Sequence, residues 1–206
     1  MMEWTLKQTV APTAEPVTLA EAKSRLRLID FTDDDADIEA MIKSAREYCE
    51  TYTDRQFMTA TWQLQLSEFP SVILVPKPPM QSVTTFAYLD TAGTSQTVTA
   101  SLYTTDTSDE PATIREAYSQ NWPTARDVFN AVTLTYVAGW ASAALVPYAI
   151  KQAILAMVAM QYEIREPVIV GASVARAEEV AQRFLDGYRT FFTEPCRCGQ
   201  ASYGIW

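Results

Sequence analysis

The sequence predicts a mixed α+β protein: a helical bundle of two N-terminal and two C-terminal helices, with an inserted antiparallel β-sheet and an extended C-terminal tail. Three observations predict it. Apolar residues recur at three-four spacing in two stretches before residue 54 and in two after residue 147. Between residues 60 and 137 the period changes to two, as in strands with one wet face. Beyond Thr193 neither period is present. The expected organisation is one domain over residues 1–192, with helices at about 18–29, 34–53, 148–165 and 173–192 and the sheet at about 60–137. A tail over 193–206 follows.

After an extended opening containing Pro12 and Pro16, Thr18-Leu19-Ala20-Glu21 forms a capping-box pattern in which hydroxyl and carboxylate satisfy the first free helical amides. Leu19, Ala22, Leu26 and Ile29 then mark one apolar face, and Asp30 interrupts it. The run Asp33-Asp34-Asp35-Ala36-Asp37 sits ahead of and within the first turn of the second helix, where the positive end of the helix dipole favours negative charge. That capping role explains the cluster structurally, and an acidic working surface is the alternative. It lacks the glycine and terminal glutamate of a Ca²⁺ loop. Ile38, Met41, Ile42, Ala45, Tyr48, Cys49 and Tyr52 form the buried stripe, with Cys49 as a small core residue.

Trp62, Leu64 and Leu66 alternate with Gln63, Gln65 and Ser67, which opens the sheet. Further strands are expected at Val72–Val75, Val83–Leu89, Gln96–Tyr103, Pro111–Ile114 and Ala131–Val137, with turns at Pro76-Lys77-Pro78-Pro79 and Asp90-Thr91-Ala92-Gly93. Val128 to Ile150 carries no charge and is about as long as a bilayer is thick. Asn130, Thr133, Thr135, Gly139, Ser142 and Pro147 interrupt it, so it reads as a strand, a turn and a new helix. Pro147 suits the first turn of the third helix, whose face is Ile150, Ile154, Met157, Val158 and Gln161. The fourth presents Ala177, Val180, Ala181, Phe184, Tyr188 and Phe191.

The chain has 206 residues and no histidine. That excludes Ser-His-Asp and Cys-His triads, zinc-binding histidine helices and any imidazole base. Its 6 glycines are too scattered for a dinucleotide fingerprint or a phosphate-cradling loop. With 16 Lys+Arg against 25 Asp+Glu the net charge is −9, the wrong sign for gripping phosphate backbones. No cofactor is expected. Lys23, Lys43, Lys77 and Lys151 occupy positions typical of solvated lysine, and no catalytic residue is nominated. The pair Cys196 and Cys198 is half of a soft metal site without the other half, so no metal is expected either. Three cysteines make no disulfide framework, and Met1-Met2-Glu3-Trp4-Thr5-Leu6-Lys7 lacks the features of a secretory signal, so synthesis in a reducing cytoplasm is expected. Tyr203, Ile205 and Trp206 place large apolar side chains on an aperiodic extension, the pattern of a segment that docks on another chain.

The segments Glu15-Pro16-Val17-Thr18-Leu19-Ala20-Glu21-Ala22-Lys23, Asp33 to Ile42, Ala45 to Thr53, Trp62-Gln63-Leu64, Leu74 to Val83, Val132 to Trp140 and Val146 to Ile154 resemble, in their order and spacing, the head-tail connector (adaptor) proteins of long-tailed phages and related gene transfer agents. The resemblance covers roughly residues 15 to 190 and leaves out the tail beyond Thr193. It implies a non-enzymatic virion protein of the neck that assembles, commonly twelvefold, into a ring beneath the portal and above the stopper or tail terminator. Genomic DNA would pass through that ring without tight or sequence-specific binding, and no membrane is involved. On this reading Tyr203, Ile205 and Trp206 anchor on the portal, while Asp33, Asp34, Asp35 and Asp37 are candidates for a channel surface that does not hold phosphate. A DNA-binding packaging or regulatory factor is the rival reading, and an unrecognised enzyme a more distant one.

Overall fold

The computed structural model describes residues 3–163 and 173–190. In chain order these carry β1 (Trp4–Val10), α1 (Leu19–Leu26), α2 (Asp35–Thr53), β2 (Ala60–Leu66), β3 (Val72–Leu74), β4 (Met80–Leu89), β5 (Ser95–Thr97), β6 (Tyr103–Asp106), β7 (Thr113–Glu116), β8 (Val132–Ala138), α3 (Tyr148–Glu163) and α4 (Ser173–Leu185). They fall into a sheet unit, residues 3–11 and 60–139, and a helical unit, residues 12–59 and 140–190.

The expected helical bundle with one inserted sheet is overturned. The protein is α+β but strand-rich, with eight strands among the described residues, in two antiparallel sheets ordered β1-β2-β8-β4-β5 and β3-β7-β6. Two local causes account for the difference. Trp4–Val10, read as an extended opening, is a strand paired with β2 from Trp4 opposite Leu66 to Val10 opposite Thr61. Its partner is so distant in sequence that no local turn signal announces the pairing. The single strand expected at Gln96–Tyr103 instead breaks at a 3₁₀ turn, Ala100–Leu102, so that β5 and β6 belong to different sheets. The strand expected at Ala131–Val137 is β8, which inserts between β2 and β4.

In the sheet unit, period-two alternation does what the sequence predicts. Val132, Leu134 and Tyr136 of β8 are buried, as are Leu64 and Leu66 of β2, while Thr133, Thr135, Gln63 and Gln65 lie on the opposite face. Burying each large apolar side chain contributes roughly 1.5–3 kcal/mol. The Tyr136 hydroxyl, carried into this core, donates to the Pro76 carbonyl at 2.8 Å. Phe69 stacks on Trp122 at 5.1 Å between ring centres and meets Phe86 and Tyr88 edge-on at 5.9 and 5.6 Å. The Trp122 indole N–H donates to the Pro70 carbonyl at 3.0 Å, so its polar tip is satisfied.

In the helical unit the capping box is present: the Glu21 amide donates to the Thr18 hydroxyl, and the Glu21 carboxylate accepts from the Thr18 amide at 2.7 Å. Arg27, left-handed at φ 62°, closes α1 by donating its amide to Lys23 and Ser24 carbonyls. The helix therefore stops before Ile29, which is 71% exposed rather than on the apolar face. Ile38, Ile42, Ala45 and Cys49 of α2 pack with Ile150, Ala153, Ile154, Met157 and Val158 of α3. On α4 the inward residues are Ala181 and Leu185, whereas Val180 and Phe184 are 43% and 42% exposed. That face is rotated from the expected one; Ala177 and Phe191 are outside the residues whose side chains are described. Among the described residues no helix is long and apolar enough to cross a membrane.

Candidate functional site

Helix α2 organises the polar side chains of the helical unit. At its start, Asp34 occupies the N-cap position without a side-chain capping bond; its carboxylate instead accepts from the Tyr162 hydroxyl at 2.7 Å. Asp35 lies 2.8 Å from the ammonium of Lys23, an ion pair off the axis of a directed hydrogen bond. Lys23, expected to be solvated, is buried to 8% exposure. Asp33 and Asp37 are exposed. The structure thus divides the acidic cluster: Asp34 and Asp35 tie the start of α2 to α3 and α1, while Asp33 and Asp37 remain on the surface.

About three turns further along, Arg46 is buried and donates to Glu15 at 2.8 Å and to Glu50 at 2.6 Å, with Glu47 at 3.5 Å. Burial works against its charge, but Glu50 and Glu15 outweigh it and raise the guanidinium pKa. Burial also pushes the Glu50 carboxyl up, opposed chiefly by Arg46 and by the Phe57 amide. Glu50 accepts from that amide at 2.8 Å and from the Gln56 side chain at 2.7 Å, fixing the chain that leaves α2. This carboxylate–guanidinium group was not recognised in the sequence. Its only sequence signal is the i,i+4 spacing of Arg46 and Glu50, which also describes ordinary surface pairs.

At its end α2 meets the last described residues. The Tyr48 hydroxyl donates to Glu178 at 2.6 Å and accepts from Gln182 at 3.0 Å, and the Tyr52 hydroxyl donates to Asp186 at 2.6 Å. Arg189 lies over the Tyr52 ring, 4.8 Å from its centre. Thr190 donates its amide to the Thr53 carbonyl at 2.9 Å, and its hydroxyl lies 3.0 Å from the same oxygen and 3.2 Å from the Asp54 carbonyl. Arg55 donates to the Tyr188 carbonyl. A helix C-terminus leaves carbonyls without intrahelical partners, and here Thr190 supplies donors to two of them.

The predicted docking residues Tyr203, Ile205 and Trp206, and the cysteines Cys196 and Cys198, lie outside the described residues. Cys49 is buried, and burial pushes its thiol up to about 12, which suits a core residue and not a nucleophile. Among the described residues no group of three or more Cys, Asp or Glu is arranged to hold a metal ion. Large apolar side chains are exposed in both units, including Tyr118 and Phe129 in the sheet unit and Ile29, Leu145 and Tyr148 in the helical unit. The ion-paired and capped groups of the helical unit fix helix ends.

Comparison with known proteins follows the same line. The sequence model of the phage gp6-like head-tail connector protein family matches residues 16–120. No curated protein matches the chain. Among solved structures, a chain from the virion of a native gene transfer agent particle superposes with a TM-score of 0.74 at 21% identity, over 92% of this chain and 97% of that one. A chain from the neck of an empty gene transfer agent particle, computed with C6 symmetry, gives 0.74 at 22% identity with the same coverage. One from the neck of the native particle, computed with C12 symmetry, gives 0.69 at 20% identity, over 92% and 97%. At these identities the likeness establishes a shared fold.

Proposed function

The chain belongs to the phage gp6-like head-tail connector family, and from that premise we propose that copies of it form a ring between the capsid portal and the stopper or tail terminator. As a head-tail connector it is a structural protein of the particle neck, between head and tail. The ring is twelvefold on this reading and continues the channel through which DNA leaves the head, in a phage or a gene transfer agent. The observation that supports it most is the superposition over 97% of a neck chain from a particle computed with C12 symmetry. Ring assembly also accounts for exposed apolar side chains on several elements, which a closed ring needs in complementary pairs.

DNA passes through this ring as cargo. A net charge of −9 opposes retention of duplex, and the acidic cluster Asp33, Asp34, Asp35 and Asp37, of which Asp33 and Asp37 are exposed, is proposed to line the channel. We assign the protein no catalytic activity. Residues Tyr203, Ile205 and Trp206 are proposed to anchor on the portal, through apolar pockets or strand addition. Electron microscopy of the protein mixed with its portal tests the reading. A second ring stacked on the portal, lost when the chain stops at Thr193, is the expected result; a free monomer beside a bare portal would overturn it.

A further inference from the structure

We infer that neighbouring copies of this chain pack head to tail through two apolar corners of the helical unit, Ile29 and Phe31 of one copy seating against Leu145 and Tyr148 of the next. The inference rests on the ring reading above and adds which residues join one copy to another.

Both corners hold large apolar side chains outward on fixed backbone. After the Arg27 cap ends α1, the Leu28 amide donates to the Lys23 carbonyl at 2.9 Å, the Phe31 amide to the Leu28 carbonyl at 3.1 Å and the Asp35 amide to the Thr32 carbonyl at 3.2 Å. The Lys23–Asp35 ion pair and the bond from Tyr162 to Asp34 close the base of this loop. Ile29 and Phe31 are left 71% and 42% exposed. At the other corner a 3₁₀ turn, Ala143–Leu145, leads into α3. Val146 and Ile150 are buried there, while Leu145 and Tyr148 are 61% and 81% exposed. Side chains carried on backbone fixed in this way lose little freedom when they dock.

A single exposed leucine or isoleucine needs no partner to explain it. Here two unlike corners stand at the two ends of α3, and that placement points to a second copy as the occupant. Tyr148 opens α3, whereas Tyr162 in its last turn bonds Asp34, close in the chain to Phe31, and the helix between the two tyrosines is about 21 Å long. In a twelvefold ring each copy turns by about 30° from the last, so its two contact patches lie on nearly opposite sides and differ from each other. Rim charges agree with this pairing. Exposed Asp30 stands between Ile29 and Phe31, with exposed Arg27 and Asp33 on either side in the chain. At the second corner the Lys151 ammonium lies over the Tyr148 ring, 5.6 Å from its centre. Glu21, whose carboxyl is held low first by the Thr18 amide and least by Lys151, is already engaged in the α1 cap. The ammonium is therefore the charge that this corner offers to Asp30 of the next copy.

The test uses the full chain, alone and on isolated portal rings, with assembly read by mass photometry and the fold of each variant by circular dichroism. Ile29→Ser with Phe31→Ser removes one corner, and Leu145→Ser with Tyr148→Ser removes the other. Each double variant is expected to weaken ring assembly at least about tenfold. Mixed together they keep one intact contact per pair, and they are expected to stop at dimers. If both variants form rings as readily as wild type, or if rings are lost and mixing gives no dimers, the interface is overturned and the ring reading stands. If wild type forms no ring in either setting, the ring reading falls and the interface with it. A second measurement needs no variant: rings built from a mixture of unlabelled and heavy-isotope chain are treated with a carbodiimide, which joins an ammonium to a carboxylate without a spacer. Lys151 linked to Asp30 in peptides of mixed label is the expected product; links from Lys151 confined to its own copy would overturn the pairing.

Discussion

The two units of this chain solve the same problem with different chemistry. The sheet unit closes around alternating aliphatic residues and an aromatic group, Phe69, Phe86, Tyr88 and Trp122, of which the Trp122 indole N–H reaches a backbone carbonyl. The helical unit has an apolar core too, but its ends are fixed by charge: Lys23 with Asp35, Arg46 with Glu15 and Glu50, and tyrosine hydroxyls on Asp34, Glu178 and Asp186. Strand pairing sets register along the whole length of an element, whereas helix packing leaves sliding and rotation to be fixed by specific contacts. Directional polar contacts at helix ends supply that.

Mutations that strike each unit's own chemistry sharpen the contrast. Phe86→Ala, at a residue 2% exposed and ringed by other aromatics, is expected to cost about 3–5 kcal/mol of sheet-unit stability. Urea unfolding followed by tryptophan fluorescence checks it, and a loss below about 1 kcal/mol would mean the aromatic group is not a core. Arg46→Ala strands Glu15 and Glu50 in partly or largely buried positions and is expected to cost about 3 kcal/mol. Replacing Arg46 and Glu50 together by Met and Gln should cost less than the single change, because only Glu15, the less buried of the two carboxylates, is then left without its partner. If the double variant is as unstable as the sum of the two single ones, the group is not coupled.

Thr18→Ala removes the capping hydroxyl and should cost about 1 kcal/mol, read by thermal unfolding. A titration probes the helical unit through Tyr48. Burial, together with its bond to Glu178, raises the Tyr48 phenol above its ordinary value. A folded-state pKa raised above the unfolded one contributes stability that is present below the unfolded value and lost as pH rises through the folded value. The helical unit should therefore weaken above about pH 10, and Tyr48→Phe should blunt that loss. Equal alkaline loss in wild type and variant would remove Tyr48 as its source. The smallest effect is expected at Cys49: in a chain whose other cysteines are serine, alkylation at pH 8 should proceed only after unfolding.

Much of the local structure was legible. The Thr18–Glu21 box, the α2 stripe through Ile38, Ile42, Ala45 and Cys49, and the β8 alternation each follow from residues within one or two turns or a few strand positions of each other. What failed did so at long range. Nothing near Trp4–Val10 indicates that its partner is β2, and nothing near Thr99 indicates that the chain changes sheet there. Of the candidate site, the acidic residues were visible as a cluster, yet the pairing of Asp35 with Lys23 and of Asp34 with Tyr162 was not. Ion pairs between separate elements have no period.

By itself the sequence determined the α+β composition, the Thr18–Glu21 cap, the faces of most elements and the absence of histidine chemistry, because each depends on neighbouring residues or on counting. Its resemblance to head-tail connectors was carried by the order and spacing of modest motifs. Only the tertiary structure decided that there are two sheets, that Arg46 is held between Glu15 and Glu50, and that Thr190 closes the end of α2. The physical reason is that a strand edge, a buried charge and an orphan carbonyl each require a partner, and the residue that satisfies them is chosen by proximity in the fold rather than along the chain.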